Sequence, residues 1–126
     1  MIEKQKAVII VGHGSRNDKA KLAFLEAVAL IGRKLKKVRI EPAFLQFSSQ
    51  DVPRALEKLV QEGYKKIVLF PLFLFRGTHV SRDIPDLIKK GKERFPGLNI
   101  ILTSPLWPDE RIADIAVDHI KYKGDI

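Results

Sequence analysis

The feature that most constrains this chain is an uncharged apolar run of nine residues, Ile67 to Phe75. It is too short to cross a bilayer as a helix, which takes about 20 residues. Read from Lys66 to Leu74, it fits a strand covered on both faces, as in the interior of a parallel sheet. The rest of the sequence agrees with that reading. Ala7 to Val11 is a compact apolar run ending in β-branched residues, a buried first strand, and Val38 to Phe47 reads as the second. Leu98 to Thr103 reads as the fourth. Between them lie helical patterns. One runs from about Asn17 to Lys36. In a second, Val52, Ala55, Leu56, Leu59 and Val60 fall on one face and Gly63 stops the helix. Ile84, Leu87, Ile88 and Phe95 mark a third, expected to begin after an Arg76–Arg82 loop so that Pro85 sits in its first turn. Asp109 and Glu110 open a fourth, with Ile112, Ile115, Ala116 and His119 on its core-facing side.

Four such units in 126 residues imply one domain spanning 1–126. Its fold class is α/β: a flavodoxin-like, doubly wound, four-stranded parallel sheet of order 2-1-3-4, in three αβα layers. Hydrophobic residues make up 45% of the chain, enough for a core without staples. Cysteine is absent, which excludes disulfides, thiolate metal sites and a cysteine nucleophile. With no signal-like N-terminus, the expectation is a cytoplasmic protein with no membrane partner. The net charge of +8 favours a polyanionic partner, unless it serves only to solvate the surface. No aromatic platform or basic repeat supports nucleic acid as that partner.

In an open α/β sheet, ligands bind beyond the carboxyl ends of the strands, where the strand order reverses. For order 2-1-3-4 that crevice lies between strands one and three. The loop after strand one carries His13 and the loop after strand three carries His79. Neutral imidazole ligates divalent cobalt, nickel, iron and zinc, and takes up a proton near neutral pH. Two histidines make an incomplete shell, suited to an exchangeable ion. Other roles stay open at this point. His13 between two glycines also suits a plain turn, His79 a surface loop or helix cap. Gly14-Ser15 before a helix could hold a phosphate or carboxylate, and His13 could then be a nucleophile. Leu74 and Phe75 could wall a flat apolar ligand. Arg16, Lys19, Arg76 and Arg82 could pair with its carboxylates, while His119 reads as structural.

Val11-Gly12-His13-Gly14-Ser15-Arg16 resembles the first motif of the class II tetrapyrrole chelatases. Pro71-Leu72-Phe73-Leu74-Phe75, then Gly77-Thr78-His79-Val80, then Asp83-Ile84-Pro85 resembles the second. Both motifs, in order and on so short a chain, resemble the small CbiX-type sirohydrochlorin cobaltochelatases from about Lys6 to Ile120. The resemblance implies a single chelatase half-domain that acts as an ATP-independent lyase. It would insert Co²⁺ into sirohydrochlorin in cobalamin biosynthesis, with no tightly bound cofactor. His13 and His79 would be the metal ligands and catalytic proton acceptors. Gly14, Ser15, Arg16, Leu74, Phe75, Arg76, Gly77 and Thr78 would contact the tetrapyrrole. Ni²⁺ or Fe²⁺ as the metal, or a non-catalytic tetrapyrrole or metal carrier, are the alternatives. Longer relatives carry two such domains in tandem, which implies a homodimer here. Many relatives place a glutamate where this chain has Gln46, and glutamine cannot act as a base.

Overall fold

The computed structural model describes residues 4–123; the side chains of Thr78 and His79 lie outside the described residues. Eight elements alternate in order: β1 (Lys4–Gly12), α1 (Asp18–Leu35), β2 (Arg39–Phe44), α2 (Val52–Gln61), β3 (Tyr64–Pro71), α3 (Thr78–Arg94), β4 (Asn99–Leu102) and α4 (Glu110–Tyr122). The strands form one parallel sheet of order β2-β1-β3-β4. This is the expected doubly wound arrangement. Right-handed crossovers place α1 on one face and α2 with α3 on the other. The larger core lies under α2 and α3, where Ile9, Val11, Leu59, Ile67, Leu69 and Ile84 meet. The smaller one joins Val8 and Ile10 of β1 to Val28 of α1, with Phe24 packed against it.

Polar side chains fix the element boundaries. Asn17 caps α1, its carbonyl oxygen accepting from the Lys19 and Ala20 amides at 2.8 and 3.3 Å. Asp51 caps α2 by accepting from the Arg54 amide at 3.0 Å, with Pro53 in the tolerant first turn. On the free edge of β2, the buried Glu41 accepts from Arg39 Nη2 at 2.9 Å and Lys58 Nζ at 3.3 Å. Arg39 also pairs with Glu62 at 3.0 Å. That hydrogen bond raises the Arg39 pKa, burial opposes it, and Glu41 adds to the rise. A charged edge of this kind discourages strand addition.

Three expectations are corrected. First, α3 begins at Thr78, not after Arg82, so Pro85 is its eighth residue and lies in the helix interior. Val80 and Ile84, one turn apart, are both buried against the sheet. Their burial outweighs the proline penalty of about 3 kcal/mol. His79 is therefore in the first turn of a helix and not on a loop. Second, β2 stops at Phe44, and Phe47, read as strand, is exposed with φ 57°. Third, the stripe assigned to the core side of α4 is not buried: among the described residues of that helix none is, His119 included. No described helix is long and apolar enough to cross a membrane.

Candidate functional site

β1 delivers its last residues to the carboxyl edge of the sheet, and neighbouring strands hold them there. The Leu72 amide donates to the Val11 carbonyl at 2.8 Å, the Leu45 amide to Gly12 at 3.0 Å, and the Gln46 amide to His13 at 3.2 Å. The ladder thus runs past the strands and into the loop. Gly14 follows with φ +90°, and a Cβ there would overlap the Gln46 carbonyl oxygen. Gly12 is tight for a different reason, since its Cβ would meet the Phe24 ring at 2.8 Å. The glycines on both sides of His13 are therefore required by close approach.

The His13 imidazole is exposed and lies on the buried Phe73 ring, centroids 3.9 Å apart and planes 27° apart. Phe73 comes from the segment after β3, the arm of the crevice that leads into α3. His79 occupies the second position of α3, two residues beyond Gly77, the N-cap residue; its side chain lies outside the described residues, as does that of Thr78. Gly77 supplies no side-chain cap, so the first-turn amides of α3 keep their affinity for anions. Gln46, whose amide bonds to the His13 carbonyl, is exposed beside the histidine. Among the described residues no three His, Cys, Asp or Glu side chains converge on a metal position.

The remaining site residues divide into those left free and those already engaged. The Ser15 hydroxyl accepts from the Asn17 amide at 3.0 Å and so shapes the entry to α1. Arg16 is exposed, its guanidinium 4.6 Å from the Phe47 ring centroid. Arg76 is half-buried, and its Nη2 donates to the Thr103 carbonyl at 2.8 Å, tying the β3–α3 loop to the end of β4. Its Nε and the Thr103 hydroxyl are buried without partners among the described residues. Leu74 and Phe75 are exposed as expected, Phe75 by 62%. Trp107, which the sequence did not single out, meets Phe75 edge-on with centroids 5.7 Å apart. Trp107 extends the apolar wall, and Phe47 is exposed beneath Arg16, each from a loop that carries no periodic signal. The one available hint was a lone tryptophan in a Pro-rich loop at a carboxyl strand end.

A cleft of about 180 Å³ opens beside His13, lined by Ser15, Lys21, Phe24, Phe44 and Leu72 among others. It is smaller than the roughly 300–1,000 Å³ of ordinary ligand pockets. A flat macrocycle would therefore lie across the open mouth, against the exposed apolar wall. A second cleft of about 340 Å³ sits at the opposite end of the sheet, around Gly63, Tyr64 and Pro96, and no histidine or carboxylate lines it.

Comparison with known proteins bears on this arrangement. A family model described as CbiX matches residues 7–122. The chain is 34% identical over 115 residues to a chloroplastic sirohydrochlorin ferrochelatase of Arabidopsis thaliana, covering 91% of this chain and 51% of the relative. It is 29% identical over 144 residues to a sirohydrochlorin cobaltochelatase of Methanococcus aeolicus, covering 92% of this chain and 98% of the relative. Among solved structures it superposes with TM-score 0.81 on the sirohydrochlorin chelatase SirB of Bacillus subtilis subspecies spizizenii, in complex with cobalt. The identity there is 29%, over 94% of this chain and 50% of that one. The chain thus spans about half the length of the Arabidopsis relative and of the solved Bacillus chain, and nearly all of the Methanococcus one.

Proposed function

The chain belongs to the CbiX family, and on that premise we propose that it inserts Co²⁺ into sirohydrochlorin without nucleotide or resident cofactor. The observation that carries this reading is the His13 imidazole, exposed on a hydrogen-bonded backbone beside an apolar wall at the switch point of the sheet. Cobalt is favoured over iron by length: the Methanococcus relative, matched almost end to end, is named a cobaltochelatase, and the ferrochelatase of Arabidopsis is twice as long.

In the proposed reaction the macrocycle lies on Leu74, Phe75 and Trp107. Its carboxylates meet Arg16, the Gly14-Ser15 turn and the first-turn amides of α3 at Gly77 and Thr78. Arg76 acts indirectly, by holding the wall loop against β4. His13 and His79 offer nitrogen lone pairs to the incoming ion, which a pair of imidazoles binds without enclosing. Two pyrrolic protons must leave as one M²⁺ enters. An imidazole is the side chain suited to receive them near neutral pH. Gln46, beside His13, can donate or accept a hydrogen bond but cannot take a proton, which leaves that task to the histidines.

The test is anaerobic insertion, followed by absorbance, with Co²⁺, Ni²⁺ and Fe²⁺ in turn and a protein-free control. Acceleration greatest with Co²⁺, reduced about 10²-fold or more in His13→Ala and in His79→Ala, is the expected result. Tight tetrapyrrole binding with no acceleration for any metal would make the protein a carrier.

A further inference from the structure

The cleft of about 180 Å³ beside His13 is too small for a ring system, and its lining has a chemistry of its own. Phe24 of α1 and Phe44 at the end of β2 meet with ring centroids 5.1 Å apart and form its apolar side. Beside the imidazole itself, Lys21 of α1 and Ser15 supply its polar side chains. In sheet order the cleft belongs to the β2–β1 side of the site, whereas Phe75 and Trp107 follow β3 and β4. A tetrapyrrole that rests on the Phe75–Trp107 wall and crosses His13 therefore carries its periphery over the cleft.

Lys21 differs from the other lysines. Among those whose side chains are described it alone is half-buried, and the rest are exposed. Its Nζ stands 5.5 Å from the Phe44 ring centroid, within reach of a cation–π contact. Cations elsewhere on the surface have carboxylates: Lys58, Lys90, Arg94 and Arg111 each lie within 3.3 Å of one. No carboxylate among the described residues pairs with Lys21, whose side chain has only the ring. An ammonium partly withdrawn from water gains from an anion placed against it. Ser15 completes the arrangement. Its hydroxyl oxygen accepts from the Asn17 amide at 3.0 Å, which leaves the O–H to donate.

We infer, resting on the tetrapyrrole reading of this site, that the cleft is a subsite for one carboxylate arm of the ligand and that Lys21 is a specificity-determining residue within it. The methylenes of the arm pack on Phe24 and Phe44. Its carboxylate takes the Lys21 ammonium and the Ser15 hydroxyl. A flat apolar wall holds a macrocycle without fixing its rotation in its own plane; a few placed polar groups supply orientation. An arm seated to one side of His13 fixes that rotation. Lys21 thereby selects tetrapyrroles that carry an ionised arm at this edge over those whose edge is neutral.

The test is equilibrium binding of metal-free sirohydrochlorin to the full chain, without oxygen, followed by Trp107 fluorescence. Lys21→Met keeps the reach of the side chain and removes its charge. It should weaken binding about tenfold or more, and Lys21→Arg should restore most of that loss. Lys34→Met removes the same charge from the exposed far end of α1 and should change the affinity by no more than about twofold. Circular dichroism should match the wild type in each variant. The permethyl ester of sirohydrochlorin offers no carboxylate, so wild type and Lys21→Met should bind it alike. Equal affinity of wild type and Lys21→Met for the free acid overturns the inference and leaves the chelatase reading standing. So does an equal loss for acid and ester, which would give Lys21 a packing role alone. A wild type that binds no tetrapyrrole overturns both.

Discussion

At the scale of single residues, position 14 shows how closely the loop is built. Its φ of +90° and the overlap a Cβ would make with the Gln46 carbonyl leave room for glycine alone. Gly14→Ala is expected to cost about 1–3 kcal/mol, read as a fall of several degrees in Tm. Insertion activity should drop with it, because the strained turn would displace the Gln46–His13 rung. Gly77→Ala is the control: φ is −82° and a Cβ there meets nothing within 4 Å, so Tm should stay unchanged. His13 and its glycines were legible in the sequence, since Gly-His-Gly-Ser at the end of an apolar strand limits what the turn can be. Leu74 and Phe75 were legible as exposed continuations of a buried strand. Trp107 and Phe47 were not, because a loop side chain is oriented by tertiary contacts and leaves no period to read. Arg76 was read as available to ligand carboxylates, whereas its Nη2 donates to the carbonyl of Thr103, just past β4 and 27 residues away in sequence.

At the scale of elements, the existence and order of the strands were the legible part. β-branched and apolar runs signal themselves locally, whereas the capping roles of Asn17 and Asp51 emerged only with the structure. The start of α3 was missed because a proline rule applied locally gave way to burial of Val80 and Ile84, which only the sheet provides. The amphipathic pattern of α4 was read as a helix with a core-facing stripe; the helix is there, but none of its described residues is buried. A periodic pattern of that kind marks an apolar face and does not state what lies against it. The N-terminus of α4 yields a measurable quantity. Arg111 donates to Asp109 from its side chain, with Nη2 at 2.7 Å, and from its backbone amide. These hydrogen bonds, the side-chain ones first, lower the Asp109 pKa to about 2, against an ordinary carboxylate value of about 3.9. Because the folded value is the depressed one, the stabilisation is complete above the ordinary value. It is lost as pH falls through about 2. Carboxyl NMR should place the Asp109 midpoint near 2 in the wild type. Arg111→Ala should return it toward about 4.

At the scale of the whole molecule, the sheet order followed from crossover handedness and from four alternating units, and the structure has it. The net charge of +8 acquires a purpose if the ligand is a polycarboxylate. Sirohydrochlorin binding should quench the fluorescence of the single tryptophan, Trp107. Its affinity should weaken about tenfold between roughly 0.05 and 0.5 M salt as screening shortens the reach of the surface charge. An affinity indifferent to salt would assign recognition to the apolar wall. One feature of the site loop also fixes where flexibility can enter the reaction. Ligand-binding loops are commonly drawn from the least stable parts of a protein, yet the backbone from Val11 to His13 is bonded on both flanks and the imidazole rests on Phe73. An arriving ion has little chain disorder to quench there, so its capture costs little conformational entropy on the β1 side. The distortion that metal insertion demands would then fall on the macrocycle, pressed against a support that does not yield.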